Sequence, residues 1–243
     1  MDILPIRVLT DTDSPIFGNL NVALGKLGRS GIQVCRGVCI SAPDLHLKTT
    51  LERYDFKSKE IFEQTLQLVK KEISKTPVPD ILSRELKGFK KFWVLGVEFK
   101  SVKDIWLHLL NLWLEEIKGR IWRNGFYKGI TEGLRPQTVL FINKVEGFGT
   151  AFYDSILDDV TLHIENGKIH PANQKKIADI VKSANKKLLI PHAYGWIIDG
   201  GVKLTQVLPH IPSVSPFPPV VLRSKASPCE APYRPVQGEA KCA

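Results

Sequence analysis

Among the valines and leucines of "VKLTQVLP", the one carboxamide side chain, Gln206, has the type and placement to do chemistry. The strand-like run before it, "HAYGWII", sets Gly195 opposite that glutamine across a glycine turn. A glutamine amide on a strand can bind the edge of a ligand, or be buried and satisfied by backbone groups. A glycine within a strand marks a bulge or the close approach of another backbone. The acidic run "DSILDD" offers Asp154, Asp158 and Asp159, hard oxygen donors that suit magnesium and equally suit a solvated loop. His163 and His170 flank an Asn-Gly turn too openly to form a metal pair. Cys35 and Cys39 have three residues between them, unlike a redox or zinc CxxC pair, while Cys229 and Cys242 fall in a proline-rich tail. Two small buried hydrophobes and two tail thiols account for all four. These residues assign no catalytic group and no metal site.

Charge bounds the partners. The 243 residues carry a formal net charge of +9, so attraction to polyanions, nucleotide phosphates included, is expected. The lysines fall in scattered doublets (Lys70-Lys71, Lys90-Lys91, Lys175-Lys176, Lys186-Lys187) rather than in one basic stripe with interleaved aromatics, which argues against nucleic acid. No run reaches the roughly 18 uninterrupted apolar residues of a membrane span. The opening "MDILPIRVLTDTDSP" lacks the basic and apolar regions of a secretory signal, so cytoplasm is the expected compartment.

The elements that must position these side chains are readable from periodicity. Leu20, Ala23, Leu24 and Leu27 have helical spacing and Gly31 closes the helix; "IQVCRGVCIS" then reads as a strand interrupted by Gly37. Ser58 to Lys75 predicts an amphipathic helix with Ile61, Phe62, Leu66, Val69 and Ile73 on one stripe, stopped by "TPVPD". "KFWVLGVEF" reads as a strand. Ser101 is a plausible N-cap for the clearest helix, whose buried face runs Val102, Ile105, Trp106, Leu109, Leu112, Trp113 and Ile117. His108 lies beside that face. A β-rich block follows, "TVLFINKV", "GTAFYD" and "DVTLHI", with Asn166-Gly167 as a hairpin signal. A helix is predicted over Ala172 to Lys187, then the hairpin of Gln206. Residues 213–243 are proline-rich without period and read as a disordered tail. The mixture predicts an α+β fold.

Three stretches in order resemble the N-terminal ATP-binding domain of the phosphoenolpyruvate synthase and pyruvate phosphate dikinase family, a relative of ATP-grasp proteins. They are "FGNLNVALGKLGRSGIQVCRGVCIS", "TVLFINKVEGFGTAFYD" and the hairpin "PHAYGWIIDGGVKLTQVLP". The resemblance covers most of residues 15 to 212. It implies a two-lobed ATP-grasp-like domain over 1–212, with lobes of roughly 1–100 and 101–212. ATP and magnesium are the cofactors so implied. Asn143, Lys144 and Val145 match the segment that contacts adenine, and Gln206 stands as the family has it.

By resemblance the activity is that of a kinase-type phosphotransferase, related to pyruvate, water dikinase. Phosphoryl transfer needs cations on the phosphates and carboxylates on the metal. Here Leu20 stands at the position of a phosphate lysine, Ala193 and Gly195 at those of an aspartate and a glutamate, and Leu208 at that of an arginine. An arginine-serine-serine motif is absent, the nearest substitutes being Arg84 or the Lys90-Lys91 pair. The expectation is therefore a nucleotide-binding protein with weak or lost phosphotransfer. A separate protein partner would have to supply phosphohistidine or pyruvate domains. The alternative is a catalytically inactive interaction or assembly module that binds a protein.

Overall fold

The computed structural model of the chain describes residues 1–42, 59–124, 133–189, 192–209 and 220–222. Within them, two five-stranded antiparallel sheets carry α-helices, the α+β architecture that the patterning predicts. The first sheet has the order β1 (Ile3–Pro5), β2 (Gly37–Ile40), β5 (Gln137–Phe141), β3 (Phe92–Val94), β4 (Val97–Phe99). The second runs β10 (Val220–Leu222), β7 (Asp159–Asn166), β6 (Gly147–Asp154), β8 (His192–Ile198), β9 (Val202–Pro209). The helices are α1 (Ser14–Phe17), α2 (Asn19–Arg29), α3 (Lys59–Ile73), α4 (Asp80–Glu85), α5 (Val102–Asn124) and α6 (Pro171–Leu188).

Two large apolar cores follow from the alternation of the strands, beside a small cluster of Leu9, Phe17, Val22 and Cys39. Val38, Ile40, Phe92, Val94 and Val139 leave one face of the first sheet and meet α5 and α3. Helix α5 forms where its period predicts, and the Ser101 hydroxyl accepts from the Asp104 N–H at 3.4 Å. Its buried arc is wider than one stripe: Leu110 and Leu114 are fully buried beside Trp106 and Trp113, while Val102 and Leu112 are only partly covered. The Trp113 indole is satisfied by the Arg135 carbonyl at 2.9 Å. Trp93 and Leu140, on the opposite face, join the second core with α2 and α6, where Leu24, Leu27, Ile177 and Val181 cover Ala151, Leu162, Trp196 and Leu204.

Several elements differ from expectation for identifiable reasons. The run "IQVCRGVCIS" serves both sheets. Gln33 to Cys35 pair with β9 through Leu204, whose N–H donates to the Gln33 carbonyl and whose carbonyl accepts from the Cys35 N–H. The chain then turns at Arg36, and Gly37 starts β2 so close to β5 that a Cβ there would overlap the Val139 carbonyl oxygen. The stretch "KFWVLGVEF" is a tight hairpin, not one strand, because Leu95 and Gly96 both take positive φ (44° and 92°). Asn166-Gly167 joins no hairpin: β7 ends there and the chain passes into α6. The turn between β6 and β7 is instead closed by the Asp154 carboxylate, which accepts from the N–H groups of Ile156 and Leu157.

Helix α5 and strand β5 pack with the first sheet, and the chain crosses to the second through residues 142–146. In the stretch expected to be a disordered tail, Val220–Leu222 pair with β7 as an edge strand: the open edge of β7 offers free backbone groups, and the two β-branched valines favour the extended conformation that meets them. The remainder of 213–243, with Cys229 and Cys242, lies outside the described residues, as do the side chains of Ile61 and Phe62.

Candidate functional site

The crossing from one sheet to the other is held by a series of backbone hydrogen bonds. Phe141 donates to the Arg36 carbonyl (2.7 Å), Ile142 to Lys91 (3.2 Å) and Glu146 to Ile198 (2.9 Å). Between them, the N–H groups of Asn143 and Lys144 both donate to Oδ1 of Asp199, at 3.0 and 2.8 Å. Asp199 sits at the end of β8, and its Oδ2 accepts from the Lys203 ammonium at 3.0 Å. It is 1% exposed. Burial by itself would raise its carboxyl, but the hydrogen bonds from Lys144, Lys203 and Asn143 outweigh that and hold it below the usual carboxylate value. The β8–β9 turn is thus clamped onto the crossing segment.

Beside this clamp opens a cleft of about 730 Å³, walled by the strand ends of the first sheet and the turn of the second. Arg7, Arg36, Lys90, Lys91 and Lys203 line it, with Asp199 as its one carboxylate. Lys203 is neutralised by Asp199, and Lys91 stands 3.4 Å from Glu98. Arg7, Arg36 and Lys90 are exposed and make no ion pair among the described residues. Phe89 stacks on Phe141 in the same wall, centroids 3.7 Å apart, and remains 37% exposed, so aromatic surface is open to the cleft.

The four residues expected to bind nucleotide are not brought together. Asn143 lines the cleft. Lys144 is exposed next to it, but its N–H, like that of Asn143, is already spent on Asp199 and cannot serve a purine. Val145 is half-buried against the second core. Gln206 is half-buried on β9, beyond the cleft, paired with Gly195 at a β-bulge. Of the substitutes for the missing phosphate arginine, Lys90 and Lys91 reach the cleft. Arg84 does not line it, lying exposed beside Glu85.

The space at Gly195 tests the magnesium that the resemblance implies. A Cβ at Gly195 would lie 2.5 Å from Gln206 Cγ and 2.6 Å from Thr205 Oγ1, so the side chain of Gln206 fills the place a carboxylate would need. The acidic run is equally committed. Asp154 closes its turn, Asp159 accepts from the Val160 N–H, and Asp158 accepts from Lys182 (3.0 Å) and from the Tyr153 hydroxyl (2.9 Å). Among the described residues no group of three or more His, Cys, Asp or Glu could hold a metal ion. These side chains do not fit magnesium.

Nucleophilic chemistry is also poorly served. Burial pushes the Cys35 thiol up to about 11 and the Cys39 thiol up to about 12, so both stay protonated and inert at neutral pH. His170 accepts from the Ala172 N–H as the cap of α6, and His163 is exposed on β7. His108 tilts against Phe99, its ring held below the usual histidine value by burial.

Asp199 is not among the candidates that the sequence pattern offers. The signal was present in "DGGVK", where a carboxylate before two glycines stands four residues from a lysine. No helix among the described residues is long and apolar enough to cross a membrane. Neither the known protein families nor the curated proteins contain a match to this chain.

Proposed function

We propose that the chain is a nucleotide-binding protein that holds ATP or a related nucleotide in the cleft beside Asp199 and transfers no phosphoryl group. The observation that carries this is the charge of the cleft: five cations converge from four separate segments, and its one carboxylate is already neutralised. A triphosphate needs several donors of positive charge, and Arg7, Arg36 and Lys90 stand without ion-pair partners among the described residues. The open surface of Phe89 suits a flat base. The Asn143 side chain supplies a donor and an acceptor at the same wall.

Loss of transfer is supported by the cleft's own side chains: its one carboxylate, Asp199, is committed to two backbone N–H groups and Lys203. The charged positions of the resemblance add none, since Leu20 and Gly195 do not line the cleft. Removing preorganised charges of this kind costs several orders of magnitude in rate. Thermal denaturation with millimolar ATP or ADP tests the binding. At about a hundred times Kd, bound ligand adds ~2.7 kcal/mol, a rise in Tm of about 5–10 °C for a chain of this size. No shift with either nucleotide would remove the proposal. Steady release of ADP from ATP would remove its second half.

A further inference from the structure

We infer that this cleft takes its nucleotide as a metal-free polyphosphate anion rather than as the magnesium complex, an inference that rests on the nucleotide reading above. Magnesium on a triphosphate is held from the protein side by carboxylate oxygens with open coordination positions. The single carboxylate of the cleft has three of its roughly four lone-pair sites taken and almost no exposed surface. Oδ1 of Asp199 receives two backbone N–H groups and Oδ2 receives Lys203, at 1% exposure. An ion binding there would have to displace Lys203 and break the clamp on residues 143 and 144.

The remaining charges point the same way. Arg7, Arg36 and Lys90 face a common cleft from three different segments, and like charges so arranged repel a divalent cation while attracting phosphate oxygens. Metal-free ATP keeps the two negative charges that bound magnesium cancels. The same cations would also be met by a polyphosphate without a base, which lets the phosphate and base contributions be separated.

The test is calorimetric titration of the full chain at fixed ionic strength with ATP and with inorganic tripolyphosphate, each in EDTA and again with magnesium in large excess. Excess magnesium is expected to weaken ATP binding about tenfold. Arg36→Ala and Lys90→Ala, both exposed and so without cost to folding, should weaken metal-free binding several-fold and narrow the magnesium effect. Circular dichroism checks that the variants stay folded. Equal or tighter binding of the magnesium complex overturns the inference and leaves the nucleotide reading standing. Binding of tripolyphosphate but not of ATP, again weakened by magnesium, does the reverse. No binding of either compound in either buffer overturns both.

Discussion

The hairpin of β8 and β9 has two polar places, and they are built in opposite ways. At its turn, Asp199 is buried, charged and fully satisfied by two backbone donors and Lys203. Near its middle, Gly195 and Gln206 face each other at a bulge, both uncharged, with the glutamine side chain folded over the glycine. A buried charge survives on this hairpin only where backbone N–H groups converge on it. The turn therefore does a mechanical task, fixing how the second sheet meets the crossing segment and shaping one wall of the cationic cleft. The middle, where phosphoryl transfer by the resembled family would need a carboxylate, holds none. The hairpin keeps what joins the sheets and lacks what would hold a metal.

The sharpest way to break this contrast is to remove the charge at the turn. Asp199→Ala leaves the N–H groups of Asn143 and Lys144 and the Lys203 ammonium without their acceptor, and should cost about 3–5 kcal/mol in urea unfolding. A loss under about 1 kcal/mol would mean that water replaces the clamp at no penalty. Asp199→Asn keeps an acceptor oxygen and should lose less. The carboxyl is held below its ordinary value of 3.8 in the fold, so its stabilisation is present above that pH and is lost as pH falls through the lower folded value. The gap in stability between wild type and Asp199→Asn should thus be constant from neutrality down to about pH 5 and close below about pH 4. A gap that does not begin to narrow as pH falls below about 4 would assign the effect to packing instead.

How much of this was legible in the sequence depends on whether a residue's role is local. Helix α5 was readable because an unbroken apolar period needs only its own sequence, and the α+β mixture followed from such segments. The run "IQVCRGVCIS" was not, since nothing local says that Gln33 to Cys35 join β9 while Gly37 to Ile40 join β5. The cleft was least legible of all. Arg7, Arg36, Lys90 and Lys203 are far apart in sequence, and a lysine doublet on its own reads as a solvated face. Gln206 stands out in the sequence as the one carboxamide of its strand, yet it does not line the cleft, whereas nothing local marks Asp199 as lining it, which it does.

The middle of the hairpin should be sensitive to bulk rather than to charge. In Gly195→Ala the new methyl meets Gln206 Cγ at 2.5 Å and Thr205 Oγ1 at 2.6 Å, which forces both side chains to move. The expected cost is about 1–3 kcal/mol, measured by urea unfolding. Adding Gln206→Ala removes the first of these overlaps and leaves the second, so the double variant should recover part of the loss. Full additivity of the two changes would mean that Gln206 does not lie over Gly195.

The smallest effect belongs to Gln206 alone, and it sharpens the contrast most cheaply. If nucleotide sits in the cleft beside Asp199, Gln206→Ala removes a side chain that does not line it, and ATP affinity should change by less than about twofold. If nucleotide instead lies over the middle of the second sheet, as the resemblance alone would have it, the same truncation removes a hydrogen-bonding amide and should weaken binding about tenfold. Lys90→Ala gives the opposite pattern, several-fold weaker in the first case and unchanged in the second. The two variants measured side by side therefore locate the ligand with respect to the bulge and the turn, because each removes a side chain from only one of the two places.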